Sequence, residues 1–340
     1  MGNSVSNETI GTAERPLKVA VIGAGPSGFY AIQGIYKSKN CEARVDLFDR
    51  LPTPFGLVRG GVAPDHQKIK NVVRVYDRLA TDERTRFFGN VTLGTDISTE
   101  ELMAHYDAIV LATGNESDRK LGIEGEELDG VYSATEFVGW YNGHPDFQDR
   151  NFNLDKAHRI VVVGNGNVAM DVSRILVKSP DDLAETDITS GAVEALRTST
   201  VREVVLLGRR GPAQAAFSPK EIREVSEVEG CQLVIDPSEM EFGELTESWL
   251  AEHGDRDAHK NVDFLKEIAA QDRDTGAERF VRCAFLTSPV ELSGNDGTLT
   301  GVVVEKNELY LDDRGSPRPR GTGNRQTIEA QLIFKAIGYR

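Results

Sequence analysis

Cysteine is scarce in this chain. Cys41, Cys231 and Cys283 are the three present, far apart, with no C-x-x-C pair and no zinc-ligand spacing. That excludes a dithiol redox motif and suits a reducing compartment. The six histidines form no metal-ligand pattern either, so no metal is expected. No apolar run approaches the roughly 20 residues that a membrane-crossing helix needs. Positive charge is in deficit, with 39 Lys and Arg against 54 Asp and Glu and a net charge of −15. This balance argues against a general nucleic-acid binder. Residues 1–16 lack the apolar core of a signal peptide and the Arg-rich pattern of a mitochondrial presequence. They read as a flexible leader on a cytoplasmic protein. The M-G-N-S-V-S start fits a myristoylation pattern, but that pattern is short and a disordered leader is the simpler reading.

What the chain does have is glycine in particular places. Its 340 residues suit about two domains. Within the stretch Leu17 to Gly34, Val19 to Ile22 is a β-branched, apolar run suited to a strand buried on both faces. Gly23-Ala24-Gly25-Pro26-Ser27-Gly28 then completes G-x-G-x-x-G, and Phe29, Ile32 and Ile35 follow at helical spacing. Gly23 allows the tight turn, Gly25 lets backbone approach a pyrophosphate, and Gly28 lets the helix pack close to the strand. A second strand, Arg44 to Phe48, ends at Asp49, placed to bond a ribose hydroxyl. Strand, turn, helix and acid together point to a dinucleotide site.

Downstream, Leu51 to His66 holds prolines and glycines around Phe55 and Leu57 and reads as a structured loop. Alone, His66 at its end reads as a satisfied surface histidine. Gln67 to Leu79 has helical spacing, and Phe87 to Leu93 reads as a strand. Asp107 to Gly114 reads as a buried strand ending in Ala112-Thr113-Gly114, where small residues let a loop pass a cofactor. In this order the run is similar to that of glutathione-reductase-like flavoproteins, which shifts the first cofactor from NAD towards FAD.

A second unit follows. Strand Arg159 to Val163 leads into Gly164-Asn165-Gly166-Asn167-Val168-Ala169, a G-x-G-x-x-A turn opening a helix. The next strand, Val201 to Leu207, ends not at an acid but at Gly208-Arg209-Arg210-Gly211-Pro212. Two arginines there suit the adenosine 2′-phosphate of NADP, to which they can bond bidentately. Glu221 and Glu224 lie three apart on a predicted helix, Lys220 to Val228; on spacing alone they form a solvated face. Asp236 to Arg320 reads as a β-rich elaboration with long solvated loops and no chemistry, and Gln331 to Phe334 as a last strand.

Taken together, these motifs resemble the adrenodoxin-reductase-like ferredoxin–NADP reductases of mitochondria and bacteria. The most specific stretches are Pro54 to Arg59 with Val62 to His66, Phe137 to Asn142, Gly164 to Asp171 and Gly208 to Pro212. The resemblance implies an α/β fold of two Rossmann-like three-layer units: a leader at 1–16, an FAD-binding domain at 17–115 and an NADP-binding domain at 116–340. It implies FAD held through Ser27, Asp49, Leu57 and Leu93, and NADP through Arg119, Asn165 to Val168, Arg209, Arg210 and Glu221. It places His66 and Glu224 near the nicotinamide and flavin rings as catalytic residues. The activity implied is hydride transfer from NADPH to FAD, then single-electron transfer to a small acidic ferredoxin.

Two departures stand out. Asp49 replaces the usual Glu, and its shorter side chain still reaches a ribose hydroxyl. The family's G-W-x-x-R-G-P-x-G-x-I-G-T-N segment, which returns to the FAD domain, is not in this sequence. The FAD domain as given is therefore expected to be incomplete, and weak FAD retention with little turnover is expected if the protein ends at Arg340. The alternatives are a non-catalytic nucleotide-binding module and another NADPH-dependent flavoprotein, such as a glutamate synthase small subunit, whose cysteine clusters are missing here.

Overall fold

A computed structural model of the chain describes residues 9–115, 117–271 and 276–338. The M-G-N-S-V-S start lies outside the described residues. Contacts divide the chain into two compact units, Met1–Glu116 and Ser117–Arg340.

In the first unit the apolar runs become β1 (Leu17–Ile22), β2 (Ala43–Phe48), β3 (Thr85–Phe88) and β4 (Ala108–Leu111). All pair in parallel, in the order β3-β2-β1-β4. A parallel sheet needs both faces covered, and Val19 to Ile22 are accordingly at most 5% exposed. On one face, helices Pro26–Tyr36 and Val73–Ala80 supply Phe29 and Tyr76, whose rings stack 4.8 Å apart in a cluster with Val19, Val21 and Val45. On the other face, helix Thr99–His105 starts with a Ser98–Glu101 capping box and brings Leu102 to Ala20, Ile22 and Phe48.

Three local expectations are corrected here. The helix expected over Gln67 to Leu79 is two pieces, Gln67–Lys70 and Val73–Ala80. Between them the Val72 and Arg74 N–H groups bond to carbonyls three residues back, at 3.3 and 3.1 Å, a tighter pitch that interrupts the α ladder. The strand expected over Phe87 to Leu93 ends at Phe88, because Asn90 turns left-handed at φ 56°. Gly89 there sits so close to the chain that a Cβ would lie 2.8 Å from the Pro52 carbonyl oxygen. Strand β4, expected to be buried, is the sheet edge, and its Leu111 is 69% exposed.

The second unit contains β5 (Val131–Ser133), β6 (Arg159–Val163), β7 (Glu203–Leu207), β8 (Cys231–Ile235) and β9 (Arg279–Ala284). It continues with β10 (Thr287–Asn295), β11 (Thr298–Leu311), β12 (Pro317–Glu329) and β13 (Leu332–Lys335). Six of these form a parallel sheet in the order β5-β13-β6-β7-β9-β8, and β10, β11 and β12 form an antiparallel sheet. Helices Ala134–Tyr141, Asn167–Val177, Pro219–Ser226 and Arg256–Ala269 contribute to one core cluster with alternate residues of the parallel strands. The opposite residues, Val161, Val163, Val205 and Ile333, meet Leu292, Leu299, Val302 and Val304 of the antiparallel sheet. The result is three layers: helices, parallel sheet, antiparallel sheet.

Asp236 to Arg320 is therefore less loop-rich than expected. It contains helices Glu244–His253 and Arg256–Ala269, and Asp255 caps the second by accepting from the Asp257 and Ala258 N–H groups. The helix expected over Lys220 to Val228 runs Pro219–Ser226.

Candidate cofactor sites

Each unit builds the same turn. In the first, Gly23 follows β1 at φ +106°, and its N–H donates to the Phe48 carbonyl at 2.7 Å. A Cβ on Gly23 would run into the Ala112 carbonyl oxygen at the end of β4, and one on Gly28 into the Gly23 carbonyl oxygen. In the second, Gly164 follows β6 at φ +137°, donates to the Leu207 carbonyl at 2.9 Å, and has the Ala336 carbonyl oxygen where its Cβ would go. Ala112-Thr113-Gly114 thus has a structural counterpart in Ala336-Ile337-Gly338, with Gly114 at φ +73° and Gly338 at φ +84°. The sequence pattern of glycine motifs showed the repeat; the closing alanine in the neighbouring strand emerges only from the pairing.

The middle glycines behave differently. Around Gly25 the nearest atom to a built Cβ is 3.9 Å away, and around Gly166 nothing lies within 4 Å. Each is the N-cap of an 11-residue helix, Pro26–Tyr36 and Asn167–Val177, and neither helix start has a side-chain cap. Ser98, Ser133, Thr189, Ser218 and Asp255 cap other helices, while Gly243 leaves the start of Glu244–His253 uncapped as well, so it is the glycine turn straight after a buried strand that sets these two starts apart. Open space, helix-start N–H groups with no side-chain cap and the positive dipole end are what a pyrophosphate requires.

In the first unit Asp49, at the end of β2, accepts from the Ala24 N–H at 2.7 Å and the Leu51 N–H at 2.8 Å, one oxygen each. It braces the glycine loop and keeps further lone pairs for a ribose hydroxyl. Phe55 sits at φ 92°, a strained conformation for a non-glycine residue, and donates its N–H to the Ala24 carbonyl at 2.7 Å. Its ring is buried against Phe29 and Tyr76. Gly56 then packs so close that a Cβ would lie 2.8 Å from the Gly25 Cα, which sets Leu57, 54% exposed, beside the loop. Ser27 is exposed on the first helical turn, and Leu93 packs with the Phe48 and Leu102 cluster. His66, read alone as a surface histidine, is 7% exposed at the start of helix Gln67–Lys70.

In the second unit Asn167 Oδ1 accepts from the Ser218 N–H at 2.8 Å, and the Asn165 carbonyl accepts from the Ala216 N–H at 3.0 Å. The start of helix Pro219–Ser226 is thereby tied to the glycine loop. The buried Asn165 Nδ2 has no hydrogen-bond partner among the described residues, which a bound ligand would supply, and Val168 is 46% exposed beside it. The arginine turn is held by Asn307 Nδ2 donating to the Arg209 carbonyl at 2.9 Å and the Leu286 N–H donating to the Arg210 carbonyl at 3.1 Å. Among the described residues neither arginine side chain has an ion pair. Burial, then the charges of Arg209 and Arg318, hold the Arg210 guanidinium below its ordinary value. An anion there relieves that repulsion. Arg119 donates its N–H to the Gly338 carbonyl at 3.1 Å, beside the end of β13. The residues present fit a dinucleotide in each unit, with a 2′-phosphate in the second.

The two glutamates are not a solvated face. Glu221 is 5% exposed, and the guanidinium of Arg174, a residue 2% exposed, joins it to Asp171 and Glu224. Sequence reasoning missed Arg174. Its signal was a lone cation three residues after Asp171 on a helix whose buried residues are otherwise apolar but for Ser173.

The pyridine nucleotide-disulphide oxidoreductase family pattern matches residues 17–229. The chain is 45% identical over 326 residues to the NADPH-ferredoxin reductase FprA of Mycobacterium leprae, covering 95% of this chain and 70% of that protein. It is 41% identical to the mitochondrial NADPH:adrenodoxin oxidoreductase of Arabidopsis thaliana, covering 99% and 70%. Among solved structures, Mycobacterium tuberculosis FprA in complex with NADPH superposes with a TM-score of 0.90 at 42% identity, covering 96% and 71%.

Proposed function

The chain belongs to the pyridine nucleotide-disulphide oxidoreductases, in the branch of the NADPH-ferredoxin and NADPH:adrenodoxin reductases, and from this we propose that it is an FAD-dependent NADPH:ferredoxin oxidoreductase. The observation that carries the reading is the pair of glycine-opened helix starts without side-chain caps, the second accompanied by two arginines with no acid partner among the described residues. Bound FAD supplies a two-electron acceptor that can pass electrons on singly to an iron–sulfur protein.

The protein's own contribution is binding and aim. In the first unit the loop braced by Asp49 offers helix-start amides to the FAD pyrophosphate, with Ser27, Leu57, Leu93 and Gly114 assigned to the same cofactor. In the second, Asn165 to Val168 serve the NADPH pyrophosphate, and Arg209 and Arg210 its 2′-phosphate. Arg119 and Glu221 are assigned to the same nucleotide. His66 and Glu224 are assigned to orienting the nicotinamide amide and handling its proton. A small acidic ferredoxin is the proposed acceptor, and it requires a local basic patch on this acidic chain. No helix among the described residues is long and apolar enough to cross a membrane, and a cytoplasmic location is part of the proposal.

Anaerobic stopped-flow at the flavin band tests the reading, with FAD-reconstituted protein mixed separately with NADPH and NADH. Fast bleaching by NADPH and much slower bleaching by NADH is the expected result. No bound flavin, or no bleaching by either nucleotide, overturns it.

A further inference from the structure

Among the described residues, Arg174 is the most deeply buried arginine or lysine, and it sits in a cluster of acids. Its side chain is 3% exposed, on the helix that the second glycine loop opens. Its Nη2 meets Asp171 Oδ1 at 2.7 Å on the same helix. Its Nη1 lies 3.3 Å from Glu221 Oε2 and 3.8 Å from Glu224 Oε2, both on helix Pro219–Ser226. Lys220 holds the other oxygen of Glu224 at 2.8 Å.

Such a cluster is a poor device for stability, because taking a guanidinium out of water costs about as much as its ion pairs return. What it provides is a fixed position. The planar fork reaches two helices at once, which the point charge of a lysine does not reproduce. The second helix is also tied to the glycine loop through the bond between the Ser218 N–H and Asn167. The acids therefore stand at a set place relative to the dinucleotide loop. Carboxylates repel phosphates, and the phosphates of NADP(H) already have the loop amides and the Arg209–Arg210 turn. The part of the nucleotide that three acids suit is one with N–H and O–H donors and no negative charge.

We propose that Arg174 is a positioning residue that holds Glu221 and Glu224 towards the nicotinamide–riboside half of NADP(H). This rests on the NADPH reading above and deepens it. Equilibrium calorimetry on the full chain separates the halves of the nucleotide, with NADP⁺ as the whole ligand and 2′,5′-ADP as the half lacking nicotinamide. Arg174→Lys is expected to weaken NADP⁺ about tenfold while leaving 2′,5′-ADP within about twofold. Arg174→Met is expected to show a larger loss of the same kind; if it does not fold, the lysine variant decides. Unchanged affinity for both ligands, or an equal loss of both, overturns the proposal, since a merely structural arginine affects both halves alike. Wild-type protein that binds 2′,5′-ADP no better than 5′-AMP removes the NADPH reading instead, and this proposal with it.

Discussion

Arg209 and Arg210 stand side by side at the end of β7 with no acid paired to either side chain among the described residues, and the charge on Arg210 is already disfavoured by burial and then by its like-charged neighbours. A 2′-phosphate turns that liability into charge-assisted hydrogen bonds. Arg210→Ala is expected to lower kcat/KM for NADPH by about 10–100-fold, the equivalent of about 1.5–3 kcal/mol, and to leave NADH unaffected. Steady-state kinetics with both nucleotides checks this. Such residues are legible in sequence because the recognition is local: strand end, glycine, arginines. Arg174 was not legible, since its partners Glu221 and Glu224 lie on a helix nearly fifty residues on and only packing joins them. Phe55 escaped for a similar reason. Its left-handed backbone is held by Phe29, Tyr76 and the Ala24 carbonyl, none of them adjacent in sequence.

At the scale of elements, the two glycine turns separate folding from binding. Gly28→Ala pushes a methyl group into the Gly23 carbonyl and is expected to cost about 1–3 kcal/mol in urea unfolding. Gly25→Ala meets open space, so its unfolding free energy should stay within about 0.5 kcal/mol of wild type. Yet its methyl group occupies the approach to the pyrophosphate, so the flavin bound per chain should fall sharply. Both quantities come from one preparation of each variant. The strand–turn–helix units were readable because period-2 and period-3.6 patterns are carried by neighbouring residues. The break at Asn71, the early end of β3 and the edge position of β4 were not, because each depends on what packs or pairs alongside. Helices Glu244–His253 and Arg256–Ala269 were hidden by a charged composition that reads as loop.

For the whole molecule, acid stability has an identifiable contributor. Arg15 Nη1 and Nη2 donate to both oxygens of Asp107 at 2.8 and 2.6 Å, joining the segment before β1 to the entry of β4. Those bonds, with the Lys18 N–H next, hold the Asp107 carboxyl down to about 2. A carboxyl lowered in the folded state contributes stability that is present above its unfolded value, about 3.9, and is lost as pH falls towards 2. Thermal midpoints should therefore drop across that window, and Asp107→Asn should show a shallower drop from a lower starting point.

The place of β13 has a consequence for synthesis. Among the described strands it comes last in sequence, yet it lies inside the second sheet, between β5 and β6. The turn at Gly164 is closed by Ala336, so the carbonyl that shapes it arrives 172 residues after the glycine itself. Chains emerge and fold from the N-terminus, and distant pairings form late. The turn at Gly23, closed by Ala112, can form while the second unit is still emerging, and the turn at Gly164 stays open until β13 and Ala336 have left the ribosome.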